Sequence, residues 1–139
     1  MTHLETVKQL FVAYGKGDME TILAAMDENI TWIEPGKASS IPFSGTFKGK
    51  QEILKMFGIQ SQTIDLLSFH PLYFLENSNR VAVVGNDSAK VKATQKTYYT
   101  DFTMVFHFDD HGLIDNVHVY MDTEAIAEAF APNAEPLSS

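Results

Sequence analysis

"DMETILAAMDENITWIEPG", residues 18–36, changes its period halfway along. The first half sets Ile22, Leu23 and Met26 on one helical face behind Asp18, whose short carboxylate suits an N-cap. The second half alternates, with Ile30, Trp32 and Glu34 on one side and Thr31 and Ile33 on the other, as in a strand. A short helix through Met26 therefore feeds an opening strand through "DEN", and Pro35 ends that strand. The same alternation puts the Glu34 carboxylate on a face shared with an isoleucine and an indole, an arrangement that needs a physical reason.

On the N-terminal side, Leu4, Val7, Leu10, Phe11 and Tyr14 recur at helical spacing, with Thr2 as N-cap, Glu5 three residues on, and Gly15 and Gly17 as stop signals. On the C-terminal side, "PGKASSIPFSGTFK" (35–48) reads as a loop ending in a short extended piece, and "KQEILKMFG" (50–58) as a third helix closed by Gly58. Period-two or continuous β-type runs then cover 63–75, 80–92, 97–108 and 113–121, with turns at "ENSN" (76–79), "ATQK" (93–96) and "DDHG" (109–112). Asp122 and Thr123 precede a last helix, "EAIAEAF", that Pro132 ends. These elements predict one α+β domain over 1–131, a cone-shaped curved antiparallel sheet wrapped around N-terminal helices, and a flexible tail over 132–139.

With 139 residues, the chain suffices for one core and is short for two. Ten Lys and Arg against eighteen Asp and Glu give a net charge of -8, with a basic cluster only at "KVKATQK" (90–96), so a nucleic-acid partner is not expected. The absence of cysteine removes thiolate chemistry and fits a reducing cytoplasm, the expected location. No apolar run reaches the roughly 20 residues of a membrane span, and "MTHLETVKQLFVAYGKGD" does not read as a signal peptide. His3, His70 and His111 share no ligand spacing, and no phosphate loop, nucleophile elbow or dinucleotide fingerprint occurs, so neither metal nor cofactor is expected.

The order helix, helix, strand, helix, four strands, with "GKGDMETILAAMDENITWIEPG" (15–36), "FSGTFKGKQEILKMF" (43–57) and "VYMDTEAIAEAF" (119–130), resembles the SnoaL-like branch of the nuclear transport factor two superfamily, over residues 4–131. That branch includes ketosteroid isomerases and polyketide cyclases, so the resemblance implies a conical shell around a ligand cavity rather than one reaction. On this resemblance Glu34 falls on the general-base aspartate of ketosteroid isomerases. The oxyanion tyrosine falls on Leu10, the oxyanion aspartate on Met104, and supporting tyrosines near Met26 and Phe57. None of the four donates a hydrogen bond, so efficient steroid isomerisation is not expected. Tyr14, one turn beyond Leu10, is the candidate replacement donor. The alternative for Glu34 is a rim position or an ion pair with a lysine such as Lys37.

Leu10, Met26, Trp32, Phe43, Phe57, Phe102, Met104 and Val119, with Phe47 and Phe106, are the candidate lining of an apolar cavity. His107 and His118 lie out of phase with the inward residues of their strands, and Asp122 is accounted for as a cap. Tyr98, Val105 and Tyr120 are expected on the outward sheet face, covered by a second copy in a homodimer. Two function classes follow: an isomerase or cyclase acting on a hydrophobic carbonyl compound through Glu34 and Tyr14, or a non-catalytic small-molecule binder or carrier. A second polar group within reach of a ligand at Glu34 separates them.

Overall fold

The computed structural model describes residues 1–133. The chain runs α1 (His3–Lys16), α2 (Met19–Ala24), β1 (Met26–Glu34), β2 (Gly45–Lys48), α3 (Gly49–Thr63), β3 (Ile64–Asn77), β4 (Arg80–Val91), β5 (Thr97–Phe108), β6 (Ile114–Met121) and α4 (Thr123–Phe130). All six strands form one sheet in the order β2-β1-β6-β5-β4-β3. Most of the tail expected over 132–139 lies outside the described residues.

The local signals act where the sequence puts them. Thr2 Oγ1 accepts from the Glu5 amide at 3.0 Å, Asp18 Oδ1 from Thr21 at 3.2 Å and Asp122 Oδ1 from Ala125 at 3.1 Å, so α1, α2 and α4 all start on side-chain caps. Gly17 closes α1 in the left-handed region, at φ 69°, its amide reaching Ala13 and Tyr14 carbonyls. β4 and β5 meet along an unbroken antiparallel register from Arg80–His107 to Lys90–Thr97.

Three details differ from the sequence reading. First, α2 stops at Ala24, and Met26 already belongs to β1, because the Ala25 carbonyl is taken by the Ile114 amide at 2.9 Å. Second, Gly58 does not end α3, which continues to Thr63. A helical glycine costs about 1 kcal/mol relative to alanine, and buried Ile53 and Met56 anchor this helix to the core regardless. Third, the sheet is antiparallel except where β1 joins β6: that pair is parallel, with a register shift between Met26 and Thr31. The chain enters the sheet at β1, leaves for α3 and returns at the far edge, so β1 and β6 end up adjacent without being consecutive.

The sheet is curved and unclosed. Its edge strand β3 carries Pro71, tolerated there because one side of the strand needs no ladder bond. The concave face holds the core, in which Val7, Ile30, Ile53, Met56, Val81, Val83, Phe106 and Ile114 are all buried, and α1, α3 and α4 pack against it.

Candidate active site

Alternation in β1 buries Ile30, Trp32 and Glu34 and leaves Thr31 and Ile33 half-buried. Glu34 is only 6% exposed, the last residue of its strand, paired with Gly45 of β2. Beyond it the chain turns away through Pro35 and Gly36 (φ 105°), held by the Ser44 hydroxyl donating to the Pro35 carbonyl. A side chain at Gly36 would meet Ile41 Cδ1 at 2.8 Å, so this tight exit needs glycine for space as well as for φ.

Glu34 makes no ion pair with Lys37. Its Oε1 instead accepts from the indole Nε1–H of Trp32 at 2.9 Å. Two residues apart on one face of one strand, donor and acceptor are brought together by the pleat alone. Burial pushes the Glu34 carboxyl up from 4.5 to about 7; the indole bond acts against that rise and the charge of Asp87 adds to it.

Glu34 opens into a cavity of about 100 Å³. For scale, an apolar cavity of roughly 150 Å³ holds a benzene. Leu10, Tyr14, Met26, Trp32, Phe43, Phe57, Phe102, Met104 and Val119 all reach its wall, as does Phe106, whereas Phe47 does not. The rings form a continuous surface: Trp32 stands edge-on to Phe57 at 5.5 Å, Tyr14 lies 5.2 Å from Phe69, and Phe69 stacks on Phe102 at 5.0 Å. Gln60 and the exposed Leu66 are also in the lining and mark where the space meets solvent.

Two titratable wall residues, Asp87 and Tyr98, were missed by sequence reasoning. Asp87 lies on β4 in phase with Val81, Val83, Gly85, Ala89 and Val91, and is 7% exposed. Its Oδ1 has no hydrogen-bond partner among the described residues. The polar side chain directly across the ladder, Thr100, is committed elsewhere: its hydroxyl donates to the Asp101 carbonyl at 2.7 Å and accepts from the Asp122 amide at 2.9 Å. Burial pushes the Asp87 carboxyl from 3.8 to about 7. Tyr98, expected on the outward face, is instead buried and lines the cavity. The reason is phase: Tyr98 is an even-numbered residue of β5, like Phe102, Met104 and Phe106, while Val105 and His107 take the other side. An even-odd count along β5 would have found Tyr98, and the same count along β4 would have exposed a carboxylate in an otherwise apolar series.

Burial pushes both phenols up, Tyr14 to about 12, and the charges of Glu34 and Asp87 push in the same direction for both. Both phenols thus sense both carboxyls across a shared space. Both tyrosines stay protonated through the neutral range and can donate hydrogen bonds. The remaining polar candidates are outside it. His107 Nδ1 meets Asp115 Oδ1 at 2.6 Å, and His118 stacks on Tyr120 with centroids 4.1 Å apart. Asp122 caps α4. Among the described residues, no group of three or more His, Asp or Glu is arranged to hold a metal ion, and no helix is long and apolar enough to cross a membrane.

Solved structures with this architecture are numerous. An NTF2-like protein from Burkholderia xenovorans LB400 is 29% identical, with 93% of this chain and 95% of that one covered and a TM-score of 0.83. An NTF2-like protein from Burkholderia thailandensis E264 is 23% identical over 95% and 99% of the two chains, at a TM-score of 0.86. TerC, co-crystallised with polyporic acid, is 22% identical over 92% and 97%, at 0.78. Among proteins of curated function none matches the chain. The SnoaL-like domain model matches residues 7–117, from α1 to the middle of β6. Matched over most of its length and sharing the NTF2-like architecture, the chain belongs to the SnoaL-like domain family.

Proposed function

We propose that the chain binds a small, largely apolar carbonyl compound in this cavity and moves a proton on it, with Glu34 as the base, in an isomerase- or cyclase-type reaction. The observation that carries this reading is the state of Glu34: a carboxyl buried in a ring-lined cavity, held at about 7, with one oxygen fixed by the Trp32 indole. Near neutral pH such a group is ionised in part, yet basic enough to take a proton from carbon beside a carbonyl. The Trp32 bond occupies Oε1 and leaves Oε2 to accept that proton. Tyr14, held at about 12, keeps its proton and donates to the oxygen that becomes negative as the carbon loses its own. Glu34 then returns the proton to a second carbon of the same molecule, which completes an isomerisation, or the carbanion attacks a second carbonyl, whose π bond opens to an alkoxide that takes the proton back from Glu34 and leaves a closed ring.

At about 100 Å³ the cavity encloses less than the roughly 150 Å³ that holds a benzene, so it favours small compounds of at most about one ring, part of which lies in the opening at Gln60 and Leu66. TerC, similar in fold, supports the binding half of the reading only in that a small organic molecule was crystallised with it. The test is deuterium exchange: a small aryl ketone such as phenylacetone, in D₂O with the protein, followed by proton NMR. Exchange beside the carbonyl should run faster than in buffer and drop by about 10²- to 10⁴-fold in Glu34→Gln. Ketone binding without any acceleration would leave the carrier reading in its place.

The assembly is proposed as a homodimer covering the convex face of β5 and β6. Support comes from Val105 and from Tyr120, which is 49% exposed, both pointing away from the cavity.

A further inference from the structure

We propose that the Asp87 end of the cavity anchors a protonated amine, so that the ligand is a small ring-bearing organic cation. This rests on reading the cavity as a ligand site. It goes further by naming the group that the ligand must carry.

The starting point is the unmade bond at Asp87 Oδ1. That oxygen is buried, has no partner among the described residues, and belongs to a side chain in the cavity wall. Buried polar atoms are nearly always paired, and those that are not call for a reason. Thr100, the one hydroxyl in register beside Asp87, is turned to Asp101 and Asp122 and cannot supply the bond. A ligand donor can.

The surroundings decide which donor. Phe69 lies directly opposite Asp87 on β3, and Phe102 stacks on Phe69. Tyr14 lies 5.2 Å from Phe69, and Tyr98 joins the same lining from β5. Gly85 makes the arrangement possible: a Cβ there would meet the Phe102 ring at 2.6 Å and the His70 carbonyl oxygen at 2.3 Å, so only glycine lets the ring lie against β4 next to the carboxyl. Ring faces carry negative potential and attract cations. The lining holds no Lys, Arg or His, while Glu34 adds a second acidic group. An alcohol would satisfy Oδ1 but leave the negative potential of the enclosure uncompensated; an ammonium supplies both the donor and the charge. The chain's net charge of -8 also draws cations toward it and repels acids.

Titration calorimetry of the full chain at pH 7 with three isosteric probes tests this: 2-phenylethylamine, 2-phenylethanol and phenylacetate. The expected result is an amine affinity at least about tenfold above that of the alcohol, with the acid weakest, since one charge-assisted bond accounts for a factor of that size. Asp87→Asn should erase the amine's advantage, whereas Asp101→Asn, on the exposed side of β5, should keep it. The wild-type comparison stands even if Asp87→Asn fails to fold. Undetectable amine binding at millimolar concentration, an alcohol or acid that binds as tightly, or an Asp87→Asn protein that still prefers the amine, overturns the proposal. Deuterium exchange that depends on Glu34 while the amine preference is absent would overturn this inference and leave the proton-transfer reading standing; the reverse pattern would do the opposite.

Discussion

The indole nitrogen of Trp32 donates to Oε1 of Glu34 at 2.9 Å, inside the wall of a ring-lined cavity. The bond opposes the effect of burial, because it stabilises the ionised carboxylate that desolvation disfavours. Trp32 is therefore part of how the acidity of Glu34 is set, besides being core. Replacing it by phenylalanine should raise the Glu34 pKa above its present value of about 7, by roughly one unit for a hydrogen bond to a charged group. Carbon-13 NMR titration of the glutamate carboxyl measures it; an unchanged or lowered midpoint would show that the indole bond has no hold on Glu34.

Stability should carry the mark of both cavity carboxyls. Glu34 is raised from 4.5 and Asp87 from 3.8, each to about 7. A carboxyl whose folded pKa is raised binds protons more readily in the folded state, so its contribution is fully present below about pH 4 and is lost as pH rises through 7. Glu34→Gln removes one of the two groups while keeping the oxygen that accepts from Trp32. Its melting temperature should fall less between pH 5 and 8 than that of the wild type, and at pH 8 exceed it, with an upper bound on the order of 3 kcal/mol at about 1.4 kcal/mol per unit. A variant uniformly less stable at every pH would instead mark Glu34 as a structural group.

Gly85→Ala should lower stability by roughly 1–3 kcal/mol, the usual range for overpacking, because the added Cβ would lie 2.3 Å from a backbone carbonyl oxygen that has little room to retreat. Thermal unfolding checks it. A melting temperature within a degree of wild type would mean that the edge strand β3 shifts freely at Pro71.

Val105→Glu should convert a dimer to monomer in sedimentation at micromolar concentration, by burying an unpaired charge in the proposed interface. A wild type already monomeric under the same conditions would remove the dimer from consideration.

Turnover of a 5-ene-3-ketosteroid should be at least about 10²- to 10³-fold below that of a competent ketosteroid isomerase, the usual cost of one missing oxyanion donor. Leu10 and Met104 reach the cavity wall without a group to donate, and about 100 Å³ is small for four fused rings. Rapid conversion would show that Tyr14 or Tyr98 supplies the missing bond.

Short-range chemistry was legible in the residues alone. The caps at Thr2, Asp18 and Asp122 and the alternation that turns Glu34 inward with Trp32 depend on neighbours two to four positions away, and local spacing states them; the strand ends it places only to within a few residues. The inward placement of Tyr98 and Asp87 was latent in the same period-two count, although that count becomes usable only once one residue of each strand is known to face the core. Other features were not in the sequence at any range that spacing can read. The parallel pairing of β1 with β6 and the continuation of α3 through Gly58 follow from where distant segments pack, since pairing partners and anchoring contacts are chosen by the whole chain. The acidity of the site belongs there too: a carboxylate has no raised pKa until water is removed from around it. Only the closing of the sheet over α1 and α3 buries Glu34 and Asp87 in one cavity, which raises both carboxyls and lets the charge of Asp87 push Glu34 further.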